Sequence, residues 1–265
     1  MDKSYHFISG LPRSGSTLLS SILNQNPRFY SSITDNVLEL TIDTIKKFDE
    51  VGVRKLISHD CKINVIKSIF DGYYSSVNGE VCFNTNRAWT GQIEILKEIF
   101  PKSKILVCVR DINSILNSLE IISKKNIFSV NRLRKFNLNE SVYSHVYNWM
   151  NITDGLVGLP YSLLKQAFVS SNSSMMMIIE YDEFCKNPNG YMKSIYNFIE
   201  EDYFEHDFDN IKTLPEWKEY DCEIGVDGLH SVKNKISKSK SDWVLPPDIL
   251  AEFENYEVWR SEYNE

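Results

Sequence analysis

Gly10-Leu11-Pro12-Arg13-Ser14-Gly15-Ser16-Thr17 is the stretch that decides the fold. Residues 5–9 before it, with Tyr5, Phe7 and Ile8, read as a short apolar strand. Residues 16–24 after it place Leu18, Leu19, Ile22 and Leu23 on one helical face. A strand, a tight glycine turn and a helix N-terminus together make an anion site, because backbone N–H groups converge there and the helix dipole adds positive potential. The spacing Gly10-x4-Gly15 is that of a P-loop, but Ser16 stands where the Walker A pattern has its lysine. A nucleoside triphosphatase uses that lysine at the β- and γ-phosphates, so this loop suits a phosphate-like group better than ATP hydrolysis. Arg13 is its one strong cation. The same spacing also fits a strand–turn–helix junction with no ligand.

Outward from the loop, short apolar strands alternate with helical periodicity. Residues 81–83, Ile105–Val109 and 175–180 read as further strands. Residues 92–100, 112–122, 140–169 (with a break at 155–160), 190–199 and 249–259 read as helices, the first ended by Pro101. Ile105–Val109 and 175–180 carry apolar side chains in succession, as strands buried on both faces do. The alternation predicts an α/β protein with a mostly parallel sheet. Residues 205–240 have few periodic apolar positions and read as one long surface loop. No composition break marks a boundary, so residues 1–265 are expected to form a single domain.

Composition narrows the function classes. The chain has 265 residues, 42% hydrophobic and 25% charged, with 29 Lys+Arg against 36 Asp+Glu and a formal net charge of -7. An acidic chain lacks the basic face of a nucleic-acid binder. Its apolar runs fall well short of the roughly 20 residues a membrane span needs. The start Met1-Asp2-Lys3-Ser4 has no basic region leading into an apolar one, so no secretory signal is read there. Five cysteines without a CxxC pair argue against a disulfide framework or zinc knuckle. The expectation is a cytoplasmic protein with no membrane or nucleic-acid partner and no metal.

A second element lies a hundred residues on. Ile105–Val109 ends in Arg110-Asp111, and in open α/β sheets ligands sit beyond the carboxyl ends of strands. Arg110 therefore projects onto the same rim as the loop. Ser118, two turns into the next helix, offers a hydroxyl on that side, and the two can grip a second phosphate. Arg110-Asp111 also reads as an ion pair or a helix cap.

Pro12-Arg13-Ser14-Gly15-Ser16-Thr17-Leu18 resembles the 5′-phosphosulfate loop of sulfotransferases that use 3′-phosphoadenylyl sulfate (PAPS). Val109-Arg110 with Ser118 resembles their 3′-phosphate motif. Further segments are similar to a bacterial-type family related to the tyrosylprotein sulfotransferases: Phe83-Asn84-Thr85-Asn86-Arg87-Ala88-Trp89, Phe204-Glu205-His206-Asp207-Phe208, Gly228-Leu229-His230-Ser231-Val232 and Leu245-Pro246-Pro247-Asp248. The resemblance implies a P-loop NTPase-like three-layer fold, a central mostly parallel sheet flanked by helices. It also implies sulfuryl transfer from PAPS to a hydroxyl or phenol, releasing adenosine 3′,5′-bisphosphate (PAP), with no metal. By it, the amides of Arg13 to Leu18 hold the 5′-phosphosulfate, Arg110 and Ser118 hold the 3′-phosphate, and Tyr181 lies near the adenine, where it also reads as an ordinary half-buried aromatic. Residues 231–240, with Ser231, Val232 and Lys233, match the loop that closes over the nucleotide; the segment carries four lysines and no acid.

The general base is where the sequence departs from its relatives. Cytosolic sulfotransferases carry a histidine where this chain has Asn86-Arg87, and neither of those accepts a proton at neutral pH. Arg87 is expected to stabilise charge on the sulfuryl group. Tyrosylprotein sulfotransferases use a glutamate in the stretch corresponding to Ser32-Ile33-Thr34-Asp35-Asn36. Asp35 is therefore the first candidate base, with a helix N-cap before residues 37–45 as its other reading. His230 is the second candidate, with loop packing as its other reading. The acceptor is a small molecule or a peptide, and the sequence leaves room for a homodimer. The competing function is a P-loop nucleotide binder, either a kinase-like phosphotransferase or a sulfotransferase fold without activity.

Overall fold

A computed structural model describes residues 3–50, 56–126, 133, 140–236 and 242–260. The first strand, β1 (Ser4–Gly10), runs into the loop and then into α1 (Ser16–Leu23). The chain next forms β2 (Phe29–Ser31), α2 (Val37–Phe48), α3 (His59–Tyr73) and β3 (Val81–Thr85). A 3-10 turn (Trp89–Gln92) leads into α4 (Ile93–Ile99), followed by β4 (Ile105–Val109) and α5 (Ile112–Lys125). Then come α6 (Val142–Met150), α7 (Gly158–Phe168), β5 (Met176–Glu180), α8 (Tyr181–Lys186) and α9 (Pro188–Ile199). The described chain ends with α10 (Pro215–Glu223), α11 (Pro247–Glu252) and a 3-10 turn (Val258–Arg260).

The five strands form one parallel sheet in the order β2-β3-β1-β4-β5. The order reverses about β1, which is the topological switch point where an open α/β sheet has its ligand crevice. Alternate residues of the central strands feed two cores. Phe7, Ile105, Val107 and Val109 pack on one face with α4 and α5, while Ile8, Leu106 and Cys108 pack on the other with α1 and α9. Every residue of β4 is buried, as a strand covered on both faces requires.

Several elements depart from the sequence reading. Strand β2 and helices α3, α8 and α10 arise where no element was expected. Among the described side chains of α10 only Trp217 and Asp221 are buried, too little apolar spacing to mark it within the presumed surface loop of residues 205–240; a proline in its first turn starts it. The long helix expected over 140–169 breaks earlier, at Asn151, whose extended backbone ends α6. The expected buried strand at 175–180 is the sheet-edge strand β5, and of its residues only Ile179 is buried. The C-terminal helix stops at Glu252 rather than reaching 259, and Asn255 turns into the left-handed region at φ 61°.

Candidate active site

The loop between β1 and α1 is shaped by two glycines. Gly10 sits at φ 109°, and a Cβ there would lie 2.1 Å from the Cys108 carbonyl oxygen, so the chain can pass under the end of β4 only as glycine. Gly15, at φ 93°, is the N-cap of α1 and would drive a Cβ to 2.5 Å from the Tyr181 ring. Arg13 takes the left-handed conformation at φ 57° without glycine's freedom, a strain of about 1–3 kcal/mol of the kind that gathers at functional sites. The buried Ser14 hydroxyl holds the loop to the sheet by donating to the carbonyls of Leu11 and Cys108. No side chain caps α1, so the amides of its first turn have no partner within the helix.

Around this loop opens a cleft of about 190 Å³. Arg13, Arg87, Arg110, Lys233 and Lys235 line it, and among the described residues no acidic side chain does. Arg13 Nε donates to Ser118 Oγ at 3.1 Å, and its Nη1 donates to the Leu229 carbonyl. Burial, with the Arg110 charge adding to it, pulls Arg13 down to about 10, which still leaves it a cation at neutral pH. Asp111 proves to be a helix cap, its Oδ1 accepting from Ser114 N at 2.7 Å. Arg110 does not pair with it. Its guanidinium lies 4.4 Å from the centroid of the Tyr181 ring, and its buried Nε has no hydrogen-bond partner among the described residues. An orphaned buried donor beside a crevice calls for a partner from the crevice, a water or an anion.

The far wall is the segment after α10. His230 Nδ1 and Asp221 Oδ1 lie 2.5 Å apart, and the His230 amide donates to Asp221 Oδ2 at 2.8 Å. Asp221 is 1% exposed, so its carboxylate fixes the imidazole orientation from inside the fold. Burial lowers the pKa of His230, with Arg87 and Arg13 pushing the same way against Asp221. A neutral ring that donates from Nδ1 to Asp221 leaves Nε2 as its acceptor. The Val232 amide donates to Thr213 Oγ1 at 3.0 Å and the Ile236 amide to the Phe208 carbonyl, which fastens this segment down. Of the expected closing loop, residues 237–240, with Lys238 and Lys240, lie outside the described residues.

The sequence matches the model of the sulfotransferase family over residues 6–205. The chain belongs to the sulfotransferase family. No curated protein matches its sequence. Solved structures similar to this sulfotransferase include one from Alicyclobacillus acidocaldarius, at 16% identity and TM-score 0.52, covering 83% of this chain and 90% of that one. Retinol dehydratase in a complex with retinol and PAP aligns at 13% identity and TM-score 0.53, covering 97% of this chain and 80% of that one. The sulfotransferase domain from the curacin biosynthetic pathway aligns at 16% identity and TM-score 0.50, covering 77% and 76%. At these identities the likeness is one of fold. Among the described residues, no helix is long and apolar enough to cross a membrane.

In this sulfotransferase the cleft gathers Pro12, Arg13, Gly15, Ser16, Thr17, Leu18, Arg87, Arg110, Ser118, Tyr181, His230, Ser231, Val232 and Lys233, all expected at the site from sequence. Ser14 is buried behind them, and Asp35 stands apart. The Asp35 carboxylate accepts from Ser32 Oγ at 3.1 Å, Tyr74 OH at 2.9 Å, Asn84 Nδ2 at 2.7 Å and the Val37 amide at 3.1 Å. Burial still raises its pKa despite those bonds. Nor is it the N-cap of α2; that position is Asn36. Asp35 ties the ends of β2 and α3 to β3, with three of its four bonds accepted by Oδ2 and one by Oδ1. Asp221 escaped the sequence reading because it lies in a segment without clear periodicity, nine residues before the histidine it orients.

Proposed function

We propose that this protein transfers a sulfuryl group from PAPS to a hydroxyl of a small acceptor, releasing PAP. The observation that carries the reading is Arg110, whose Nε is buried without a partner beside Tyr181, in a cleft that also holds Ser118 and the glycine loop. A nucleotide with phosphate at both the 5′ and 3′ positions fits such a pair of anion sites. The amides of residues 13–18 would hold the 5′-phosphosulfate, with the dipole of α1 behind them. Arg110 and Ser118 would hold the 3′-phosphate, and the Tyr181 ring would offer a face to the adenine.

Transfer needs the acceptor oxygen in line with the sulfur and the bridging oxygen of the 5′-phosphate. The S–O bond to the acceptor forms as the S–O bond to the phosphate breaks. Arg13, Arg87 and Lys233 would offset the charge gathering on the sulfuryl and phosphate oxygens, the kind of preorganised stabilisation that supplies most of the effect in such transfers. His230 Nε2 would take the acceptor proton, with Asp221 positioning the ring. The geometry favours His230 over Asp35, since His230 lines the cleft and Asp35 does not.

Calorimetry with PAP, ATP and 5′-AMP tests the reading. PAP is expected to bind most tightly. ATP binding as tight as PAP would support the phosphotransferase reading instead, and binding of none would leave a fold without nucleotide function.

A further inference from the structure

A second, open cavity of about 160 Å³ lies between the edge of the sheet and α10. Tyr30 of β2 and residues 31–34 form one wall, and Leu214, Glu216, Trp217 and Tyr220 form the other. Two features connect it to the chemistry. The Tyr220 ring lines the cavity and lies 5.6 Å, centroid to centroid, from the His230 ring that lines the nucleotide cleft. Ser32, on its opposite wall, is bonded to Asp35, so a second carboxylate stands just behind the surface.

The electrostatics oppose those of the cleft. Glu216 is the only charged side chain in the lining, and it is exposed, with no ion-pair or hydrogen-bond partner among the described residues. Both Glu216 and Asp35 act on Tyr30, whose pKa is raised first by burial and then by these two charges. Three aromatic residues, Tyr30, Trp217 and Tyr220, line the same space. A carboxylate without a partner among aromatic faces is a site for an organic cation. An anionic acceptor would meet repulsion there.

We propose that this cavity is the acceptor subsite and that it takes a small hydroxyl compound carrying a protonated amine, with Glu216 and the three rings around the ammonium group and the hydroxyl toward His230. The proposal rests on the sulfotransferase reading above. Its volume admits a small molecule or the tip of one side chain.

The test uses three phenols that differ in charge: tyramine, 4-ethylphenol and 3-(4-hydroxyphenyl)propionate. PAP binding is first measured by calorimetry, and each phenol is then titrated into the PAP-saturated protein and assayed for transfer from radiolabelled PAPS. Tyramine is expected to bind about tenfold more tightly than 4-ethylphenol, the factor that about 1.4 kcal/mol of cation recognition gives, with the propionate weakest. In Glu216→Gln the ratio of tyramine to 4-ethylphenol affinity is expected to fall toward one, while PAP affinity is unchanged. An unaltered ratio in that variant, a preference for the propionate or for an acidic tyrosyl peptide, or no phenol binding to a protein that binds PAP would each overturn the proposal. Loss of PAP binding by the native protein would instead overturn the reading beneath it.

Discussion

The nucleotide cleft and the cavity beside α10 lie on either side of the His230–Tyr220 contact and are built in opposite ways. The cleft stands on the carboxyl ends of the two central strands, and among the described residues five cations line it with no acid. The cavity stands on a three-residue edge strand and a nine-residue helix, and it holds three aromatic rings and one carboxylate. Such a division suits a group-transfer enzyme. On the proposed function, the donor would be a fixed polyanion that rigid backbone amides and arginines can meet, and the acceptor would be met by segments that can change without disturbing the sheet.

The largest expected effect lies at the boundary between the two regions. His230→Ala should cut the transfer rate by about 10²–10⁴-fold, the range for loss of a general base, while PAP still binds in calorimetry. A rate within a few-fold of native would move the base elsewhere. Asp221→Asn should lower the rate by about tenfold or more through loss of ring orientation. It should also move the acid limb of the kcat/KM profile to lower pH. The sign follows from the environment: protonated His230 cannot accept the acceptor proton, burial already lowers its pKa, and Asp221 is the group that raises it. An acid limb that does not move would mean Asp221 only braces the fold. The smallest catalytic effect is expected at Asp35. Asp35→Asn should leave the rate within about threefold while lowering the melting temperature, since losing part of a buried bonded carboxylate network costs about 1–3 kcal/mol. A hundredfold loss of rate with unchanged stability would reinstate Asp35 as the base.

The cleft was legible in the sequence because its geometry rests on local necessities. Glycines at positive φ, a missing lysine and an arginine closing a buried strand each leave a mark in the order of residues. For Asp35, proximity to a family position says nothing of Tyr74 and Asn84, which reach it from the end of α3 and from β3 and leave it outside the cleft. Asp221, Glu216 and Trp217 were invisible for a related reason. They sit on α10, which has too few buried apolar residues for periodicity to show, and only tertiary packing brings that helix to the cleft and the edge strand. Strand β2 was missed because three residues are too few for an alternating pattern.

Whether the cleft reads a 3′-phosphate as well as a 5′ one is decided by the PAP-to-AMP affinity ratio in the native protein and in Arg110→Ala. The native protein is expected to prefer PAP, and Arg110→Ala to lose about 100-fold in PAP affinity, as removal of a charged hydrogen-bonding partner worth about 1.5–3 kcal/mol allows, with AMP binding little changed. An unchanged PAP affinity, or an equal loss for both nucleotides, would contradict a 3′-phosphate site at Arg110.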